Sequence, residues 1–391
     1  MPSDAPLYLD YAASAPLCDA AREAELDYES SRIAGANPNS LHSLGREAAR
    51  ALDGARRDLA RCLGGGFRPM DVTFTSGGTE SNNLALLGMA EAARERDRRR
   101  TRVLVSAIEH DSVLDVLPPL RGRGFEVGLV SPDRHGVVTP EAVGELLGPD
   151  VALVSVMCAN NETGVVQPVA AIARRAHAAG ALMHTDAVQA FARIPLELGD
   201  VDAVSLAAHK IGGPVGVGAL ALRSRCPLRP QSFGGGQEQG RRAGTQDVRG
   251  ALAFAAAARS CSDGLSERRR LVASRAQGLY DRLCAPGTGI EASVSPQMDE
   301  GRLPGMVSLL VPGVDSETLV LSLDEAGFEV SAGSACSSGS LDPSHVLSAM
   351  RIPRELALCS LRVSFDERVG EDDLSRFADA LLALVRKKAG A

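Results

Sequence analysis

Side chains suited to acid–base, nucleophilic or anion-binding chemistry occur in five short clusters, and each cluster begins where an apolar, predicted strand ends. The clusters are residues 76–80, 109–111, 160–164, 186–189 and 209–210. In an open α/β sheet, ligands bind outside the carboxyl ends of the strands. We therefore expect the clusters to converge on one crevice and to form a cofactor site.

Lys210 and Asp186 are charged residues in apolar surroundings. An ammonium group is poorly solvated there, so Lys210 can deprotonate and form a Schiff base. Considered alone, a surface lysine with a buried stem is the better interpretation. Asp186, if buried, needs a cationic or donor partner, and a protonated pyridine nitrogen is one such partner. Capping of the next helix explains this aspartate equally well.

Two further clusters have the form of an anion site and a proton-transfer site. Residues 75–80 run from a strand through two glycines into a helix, which directs free N–H groups and the Thr79 hydroxyl toward an anion such as phosphate. This is not a Walker loop, and an ordinary helix start is the alternative. His110 can stack on a flat ring or move protons near neutral pH. A structural histidine is the alternative there.

Cys336 is the cysteine whose surroundings favour reactivity. It lies in the small-residue run 331–340, which favours an accessible thiol over a packed one. The other cysteines are interpreted as packing residues. All eight lie far apart, without a C-x-x-C pair or His/Cys zinc spacing, so neither a disulfide scaffold nor a metal site is expected.

The elements that position these residues follow an alternating pattern from about residue 70 to 222. Strands are predicted at 72–75, 103–106, 127–130, 151–156, 182–184, 203–206 and 217–222, and helices at 80–94 and 169–179. This order predicts a mainly parallel sheet covered by helices on both faces. Beyond residue 255, a long helical stretch to residue 283 and strands near 306–311 and 361–365 predict a separate α+β unit.

Composition narrows the functional classes. The 391 residues are 45% hydrophobic and 23% charged, which is typical of a globular enzyme. The net charge of −7 predicts no direct nucleic-acid partner, since the arginines of residues 94–102 alternate with acidic residues as on a solvated helix end. No signal peptide or long apolar stretch is evident, so a reduced, cytoplasmic protein without membrane contact is expected.

Together, these motifs resemble the NifS/IscS-type cysteine desulfurases of the class V aminotransferase family, which are fold-type I pyridoxal-phosphate enzymes. The matching motifs are residues 8–13, 37–42, the five clusters, 234–238, 244–245, the Cys336 run and 360–362. The resemblance implies a mainly parallel seven-stranded sheet in a large domain, residues 15–255. It also implies a smaller α+β domain, residues 1–14 plus 256–391, that carries the catalytic cysteine.

The resemblance also implies roles for individual residues. Lys210 would hold pyridoxal 5′-phosphate covalently, His110 would stack on its ring and Asp186 would pair with its ring nitrogen. Gln189 and Asn161 would contact the ring oxygen side, with the neighbouring Asn160 as the alternative. The phosphate would be held by Gly78, Thr79 and His209, together with Thr245 from the partner subunit of a homodimer.

For the substrate, L-cysteine, the resemblance implies three steps. Arg362 would bind its carboxylate, a role suited to a guanidinium, although a surface ion pair is the alternative. Cys336 would attack the substrate sulfur as a thiolate, releasing alanine and keeping a persulfide, while Lys210 moves protons. The sulfur would pass to an acceptor protein such as an iron–sulfur scaffold, and Cys336 is a possible transient cluster ligand.

The chain departs from the family pattern at a few positions. Ala207 stands where a serine is common, which removes a hydroxyl expected at the phosphate, and Gly212 and Val215 replace a usual tyrosine and lysine.

Two other interpretations stay open. One is a related aminotransferase or selenocysteine lyase that lacks a cysteine nucleophile, and the other is a non-catalytic platform for sulfur-acceptor proteins.

Overall fold

The computed structural model describes residues 6–333 and 342–389. The strands of its largest sheet are β2 (Val72–Thr75), β3 (Arg102–Ser106), β4 (Glu126–Val130), β5 (Val151–Ser155), β6 (Leu182–Asp186), β7 (Ala203–Ala207) and β8 (Gly218–Leu222). The remaining strands are β1 (Leu7–Tyr8), β9 (Glu291–Ala292), β10 (Met306–Leu310), β11 (Phe328–Glu329), β12 (Ser331–Ala332) and β13 (Ser360–Ser364).

The helices alternate with the strands through the first two thirds of the chain. They are α1 (Asp19–Ser30), α2 (Ser43–Leu63), α3 (Gly78–Arg96), α4 (Asp111–Leu114), α5 (Leu117–Gly122), α6 (Pro140–Leu146), α7 (Val169–Ala178), α8 (Val248–Ser262), α9 (Leu265–Leu283), α10 (Ser316–Glu325), α11 (His345–Ala349), α12 (Arg354–Ala357) and α13 (Glu371–Ala389). Within the described ranges, none of them is both long and apolar enough to cross a bilayer.

The predicted seven-stranded, mainly parallel sheet is confirmed. Its strand order is β2-β8-β7-β6-β5-β3-β4, and only β8 runs antiparallel to its neighbours. Every residue of β5, β7 and β8 is buried, as expected for strands covered by helices on both faces. The carboxyl ends of the parallel strands therefore share one edge of the sheet.

A second sheet, of order β12-β13-β10-β9, is antiparallel and packs on α9 and α10, which α13 contacts in turn. The chain's first strand joins this region, because β1 pairs in parallel with β11. The predicted long helical stretch is instead two helices, α8 and α9. They are separated at Gly264, whose φ of 71° is left-handed and favours glycine. The domain boundaries at residues 14 and 255 stay a prediction.

Candidate functional site

A cavity of about 280 Å³ lies at the carboxyl ends of the parallel strands, beside the start of α3. Residues from all five clusters line this cavity, as predicted. The predicted site residues in its wall are Gly78, Thr79, His110, Asn161, Asp186, Gln189, His209, Lys210 and Arg362. Thr245 is exposed and is absent from this wall, and Cys336 lies outside the described residues.

A hydrogen-bonded network holds Asp186 at the end of β6. Its Oδ2 accepts from Asn82 Nδ2 at 2.6 Å, and its Oδ1 accepts from the Val188 N–H at 2.9 Å. Burial raises the pKa of this carboxyl group, and the positive charges of His110 and Lys210 oppose that effect. A buried carboxylate of this kind gains stability from a cationic partner in the cavity.

The same network orients His110. Asn82 Nδ2 also donates to Ser112 Oγ at 2.8 Å, and that oxygen lies 2.9 Å from His110 Nδ1. The Ser112 N–H donates to Nδ1 at 3.0 Å, so Nδ1 is an acceptor and a neutral ring carries its proton on Nε2. His110 can thus exchange a proton at Nε2 while Nδ1 accepts the Ser112 N–H.

Lys210 reaches the cavity from a short 3₁₀ turn, Ala208–Ile211, that follows β7. Its Nζ donates to the carbonyl oxygens of Ala12 and Ala13, both at 2.7 Å. Gln189 Nε2 donates to the same Ala12 oxygen at 2.8 Å, while Arg193 Nη1 donates to Gln189 Oε1 at 2.8 Å. Because Arg193 occupies the amide oxygen, the Gln189 NH₂ group is the end turned toward Lys210.

The start of α3 forms the anion end of the cavity. A Cβ atom on Gly78 would lie 2.8 Å from Val188 Cγ2, so glycine is the residue that fits there. The first N–H groups of this helix are available to an anion, and the helix dipole favours negative charge. Burial, followed by the charge of Lys210, lowers the pKa of His209 to about 4. His209 is therefore neutral near pH 7 and offers one N–H donor.

Arg362 lines the same cavity and is 1% exposed, which excludes a surface ion pair. Its Nη2 pairs with Asp10 Oδ1 at 2.7 Å, and its Nη1 donates to the Asn161 carbonyl oxygen at 2.9 Å. Its Nε is buried and has no hydrogen-bond partner among residues 6–333 and 342–389. The guanidinium group therefore has a donor left, at Nε, for a carboxylate ligand.

The two neighbouring asparagines have different positions. Asn160 closes its own turn, because its Oδ1 accepts from the N–H groups of Glu162 and Thr163 and its Nδ2 donates to the Ile108 oxygen. Asn161 lines the cavity, and its Oδ1 is buried without a partner in the described part of the chain. Of the two candidates, Asn161 is the one placed to contact a ligand.

Residues 7–377 match the protein family described as Aminotransferase class-V. The chain belongs to the class V aminotransferase family. The IscS-like cysteine desulfurase of Mycobacterium tuberculosis is 40% identical over 390 residues, covering 97% of this chain and 96% of that protein. A solved NifS-like protein is 32% identical, with a TM-score of 0.87, and covers 98% of this chain and 100% of its own. A structure of SspA in complex with cysteine is 29% identical, with a TM-score of 0.77, and covers 92% and 98%.

Class V aminotransferases of this kind use pyridoxal 5′-phosphate, which is the cofactor of this protein. The cavity fits that group. Besides Asn161 Oδ1, the cavity-lining Asn82 has a buried Oδ1 without a partner in the described ranges, so the wall holds acceptors that a bound molecule can satisfy. The buried carboxylate of Asp186 suits a pyridinium nitrogen, and the start of α3 suits a phosphate.

Ala207 suggests a gain-of-affinity test. Its side chain lines the cavity, and a Cβ on Gly78 would lie 3.6 Å from the Ala207 Cβ, which puts this position beside the anion end. Ala207→Ser is expected to tighten pyridoxal-phosphate binding about tenfold, because a hydrogen bond to a charged group contributes roughly 1.5–3 kcal/mol. Spectroscopic titration of apoprotein measures this. Pyridoxal, which lacks the phosphate, should show no gain, and an equal gain for pyridoxal would contradict the assignment.

Glu109 is a fully buried carboxyl group beside this site. Its Oε1 accepts from Ser106 Oγ and the Met157 N–H, and its Oε2 has no partner among the described residues. Burial raises its pKa from 4.5 to about 8. The folded state therefore holds this proton more tightly than the unfolded state, and the resulting stability is lost as pH rises through about 8.

Glu109→Gln, which mimics the protonated acid, should remove this pH dependence. From pH 6 to pH 9, the free energy of unfolding of the wild type should fall by about 2–3 kcal/mol relative to the variant. Urea unfolding of both cofactor-loaded proteins at the two pH values measures the difference, and other titrating groups cancel in it. Parallel pH curves would show that Glu109 is charged in the fold.

Four supporting residues were not identified from the sequence as part of the site. Asn82 and Ser112 connect Asp186 to His110, Asp10 pairs with Arg362, and Arg193 holds Gln189. Asp10 lies within the matching motif 8–13, and Asn82 follows the cluster 76–80 by two residues. For both, a polar side chain next to apolar residues was a signal in the sequence. Arg193 lies only four residues after Gln189 in a segment of turns, so closeness in sequence was the signal.

Proposed function

We propose that this chain is a cysteine desulfurase that converts L-cysteine to L-alanine and transfers the sulfur to Cys336 as a persulfide. The observation that carries the proposal is one cavity that combines an amine, a buried carboxylate and a buried guanidinium, from Lys210, Asp186 and Arg362. Relatives of nearly the same length carry the name cysteine desulfurase, and SspA was solved with cysteine.

Arg362 binds and orients the substrate. Its Nη groups are held by Asp10 and the Asn161 carbonyl, so the guanidinium plane is fixed before substrate arrives. A fixed plane loses little freedom when it binds a carboxylate. Asn161 brings its side-chain oxygen to the same wall, where it accepts a hydrogen bond from the ligand.

Pyridoxal 5′-phosphate, when bound, supplies an electron sink for the carbanion chemistry at the substrate. The protein's part is proton transfer and charge placement. Lys210 Nζ takes and returns protons at the substrate carbon, and His110 Nε2 is the second site of proton exchange, since Ser112 occupies Nδ1. Asp186 places negative charge in the cavity wall beside Asn82.

The sulfur step balances without an external oxidant. The Cys336 thiolate forms a bond to the substrate sulfur as the carbon–sulfur bond breaks, and the carbon side gains a proton and leaves as alanine. Sulfur then passes from the persulfide to an acceptor protein, for which an iron–sulfur scaffold is the first candidate. Carriers for tRNA thiolation or cofactor biosynthesis are the others, and Cys336 is a possible transient cluster ligand.

The active unit is a cytoplasmic homodimer in this proposal. Thr245 is exposed and lies outside the wall of its own chain's cavity, as expected of a residue that completes the partner's phosphate site. Its segment is held in place by Asn39 Nδ2, which donates to Gln246 Oε1 at 2.8 Å. Light scattering that gives the 40.8 kDa mass of one chain for the active enzyme would contradict the dimer.

The deciding experiment measures alanine and sulfide released from L-cysteine by purified protein with pyridoxal phosphate and a reductant. Equal amounts of the two products, at many turnovers per chain, are expected. A keto acid in place of alanine, or turnover of other amino acids only, would favour the aminotransferase or lyase interpretation. A protein that binds no cofactor would favour a non-catalytic platform.

A further inference from the structure

Glu162 is a buried carboxylate for which the proposed chemistry has no role. It is 4% exposed and lies in the turn after β5, next to Asn161. Its side chain is absent from the wall of the cavity in the described structure. Burial raises its pKa to about 7, opposed by the Ser344 hydrogen bond and by the charges of His345 and Arg362. The negative charge of Asp111 also raises the pKa of Glu162.

One oxygen of Glu162 faces the chain on both sides of the segment that contains Cys336. After the segment, Ser344 Oγ donates to Glu162 Oε2 at 2.5 Å. Before it, a Cβ atom built on Gly333 would lie 3.6 Å from the same Oε2. Gly333 directly follows β12, which pairs with the strand that carries Arg362. The described chain on both sides of residues 334–341 therefore lies close to this carboxylate, and on the Ser344 side a hydrogen bond joins the two.

In the hydrogen bond between Ser344 and Glu162, Ser344 is the donor. Ser344 Oγ accepts from the Leu347 N–H at 3.2 Å and so caps α11, which leaves its proton for Glu162. The next residue, His345, places its Nε2 at 2.9 Å from the Glu109 carbonyl oxygen. Two hydrogen bonds thus attach the start of α11 to the loops that carry Asn161 and His110.

We propose that Glu162 is a positioning residue for sulfur transfer, because its hydrogen bond with Ser344 holds the chain that follows the Cys336 segment beside the loop of Asn161. This inference rests on the proposed role of Cys336. Glu162 acts through its hydrogen bond with Ser344, and its side chain is absent from the wall of the cavity that would hold the substrate. Its loss should therefore slow the arrival of sulfur on Cys336, while cysteine binding in the cavity is unaffected.

A single-turnover experiment with cofactor-loaded enzyme tests this. Glu162→Ala and Ser344→Ala should each slow persulfide formation by about 10- to 100-fold, the cost of a small misplacement of reacting groups. The double variant should be no slower than Ser344→Ala, because both changes remove the hydrogen bond between these two side chains and Ser344→Ala also removes the cap of α11. The cysteine concentration that half-saturates the change in cofactor absorbance should stay within about twofold of the wild type.

Two further variants serve as comparisons. Glu162→Gln keeps an acceptor oxygen for Ser344 and should keep most of the rate. Ser348→Ala removes a hydroxyl that donates to the Ser344 carbonyl within the same helix and does not contact Glu162, so its rate should match the wild type. If Glu162→Ala does not fold, Ser344→Ala and Glu162→Gln still give the predicted contrast.

Several outcomes would overturn the inference. They are a wild-type persulfide rate in both alanine variants, losses that add in the double variant, or a loss of cysteine binding that accounts for the lower rate. A wild-type enzyme that forms neither alanine nor persulfide would contradict the proposed function itself. The two failures are thus distinguishable.

Discussion

Replacing Lys210 by alanine is expected to lower alanine formation from L-cysteine by about 100- to 10,000-fold, the range for loss of a positioned acid–base group. In the fold, its Nζ is held at 2.7 Å from two carbonyl oxygens, those of Ala12 and Ala13, at the cavity wall. In the proposed mechanism, the variant loses both the amine that would hold the cofactor and the group that would exchange protons with the substrate. Added pyridoxal phosphate should therefore refill the cavity without restoring turnover.

The small number of lysines makes the attachment point easy to locate. The chain has three, Lys210, Lys387 and Lys388, and the last two lie at its carboxyl end. Borohydride reduction followed by peptide mapping should find the cofactor on Lys210 in the wild type and on no peptide of the variant. Cofactor on the carboxyl-terminal lysines alone, or full turnover by a folded Lys210→Ala protein, would contradict the assignment.

The sequence predicted the fold best at strands that are buried on both faces. Strands β5, β7 and β8 are continuous apolar runs because helices cover both faces of the sheet, so their positions were predicted to within one residue. The end of β6 was placed too early, at residue 184. Asp186 belongs to that strand because it pairs in register with Ser205, a contact that the local pattern does not contain.

The members of the site were predictable one by one, and their connections were not. A polar residue at a strand end is visible in the sequence, whereas its partner is chosen by the fold. Asp10 and Arg362 are 352 positions apart, and Glu162 and Ser344 are 182 apart. Asp10 meets Arg362 because the chain after β1 bridges to Ser364 at the end of β13, so spacing rules that cover a few residues cannot find such pairs.

The second prediction with a large expected effect concerns the cysteine that takes sulfur from the substrate. A thiolate is the nucleophile, and burial in apolar surroundings disfavours it. Burial raises the pKa of Cys158, Cys226 and Cys261 to about 12 and that of Cys284 to about 11. None of the seven cysteines in the described ranges lines the cavity that contains Asp186 and Arg362. This leaves Cys336, which lies outside those ranges, as the candidate.

Cys336→Ala is therefore expected to lower persulfide formation and sulfide release by about 1,000-fold or more, the scale for loss of a nucleophile. The cofactor absorbance and its response to cysteine should be unaffected, because the cavity wall keeps all its described residues. Mass spectrometry of the protein after cysteine treatment detects the added sulfur. Cys359→Ala, which removes a buried thiol that contacts the Glu355 carbonyl, is the matched control and should carry the sulfur as the wild type does. Sulfide release that survives in Cys336→Ala, or added sulfur on a different cysteine, would mean that sulfur leaves the substrate by another route.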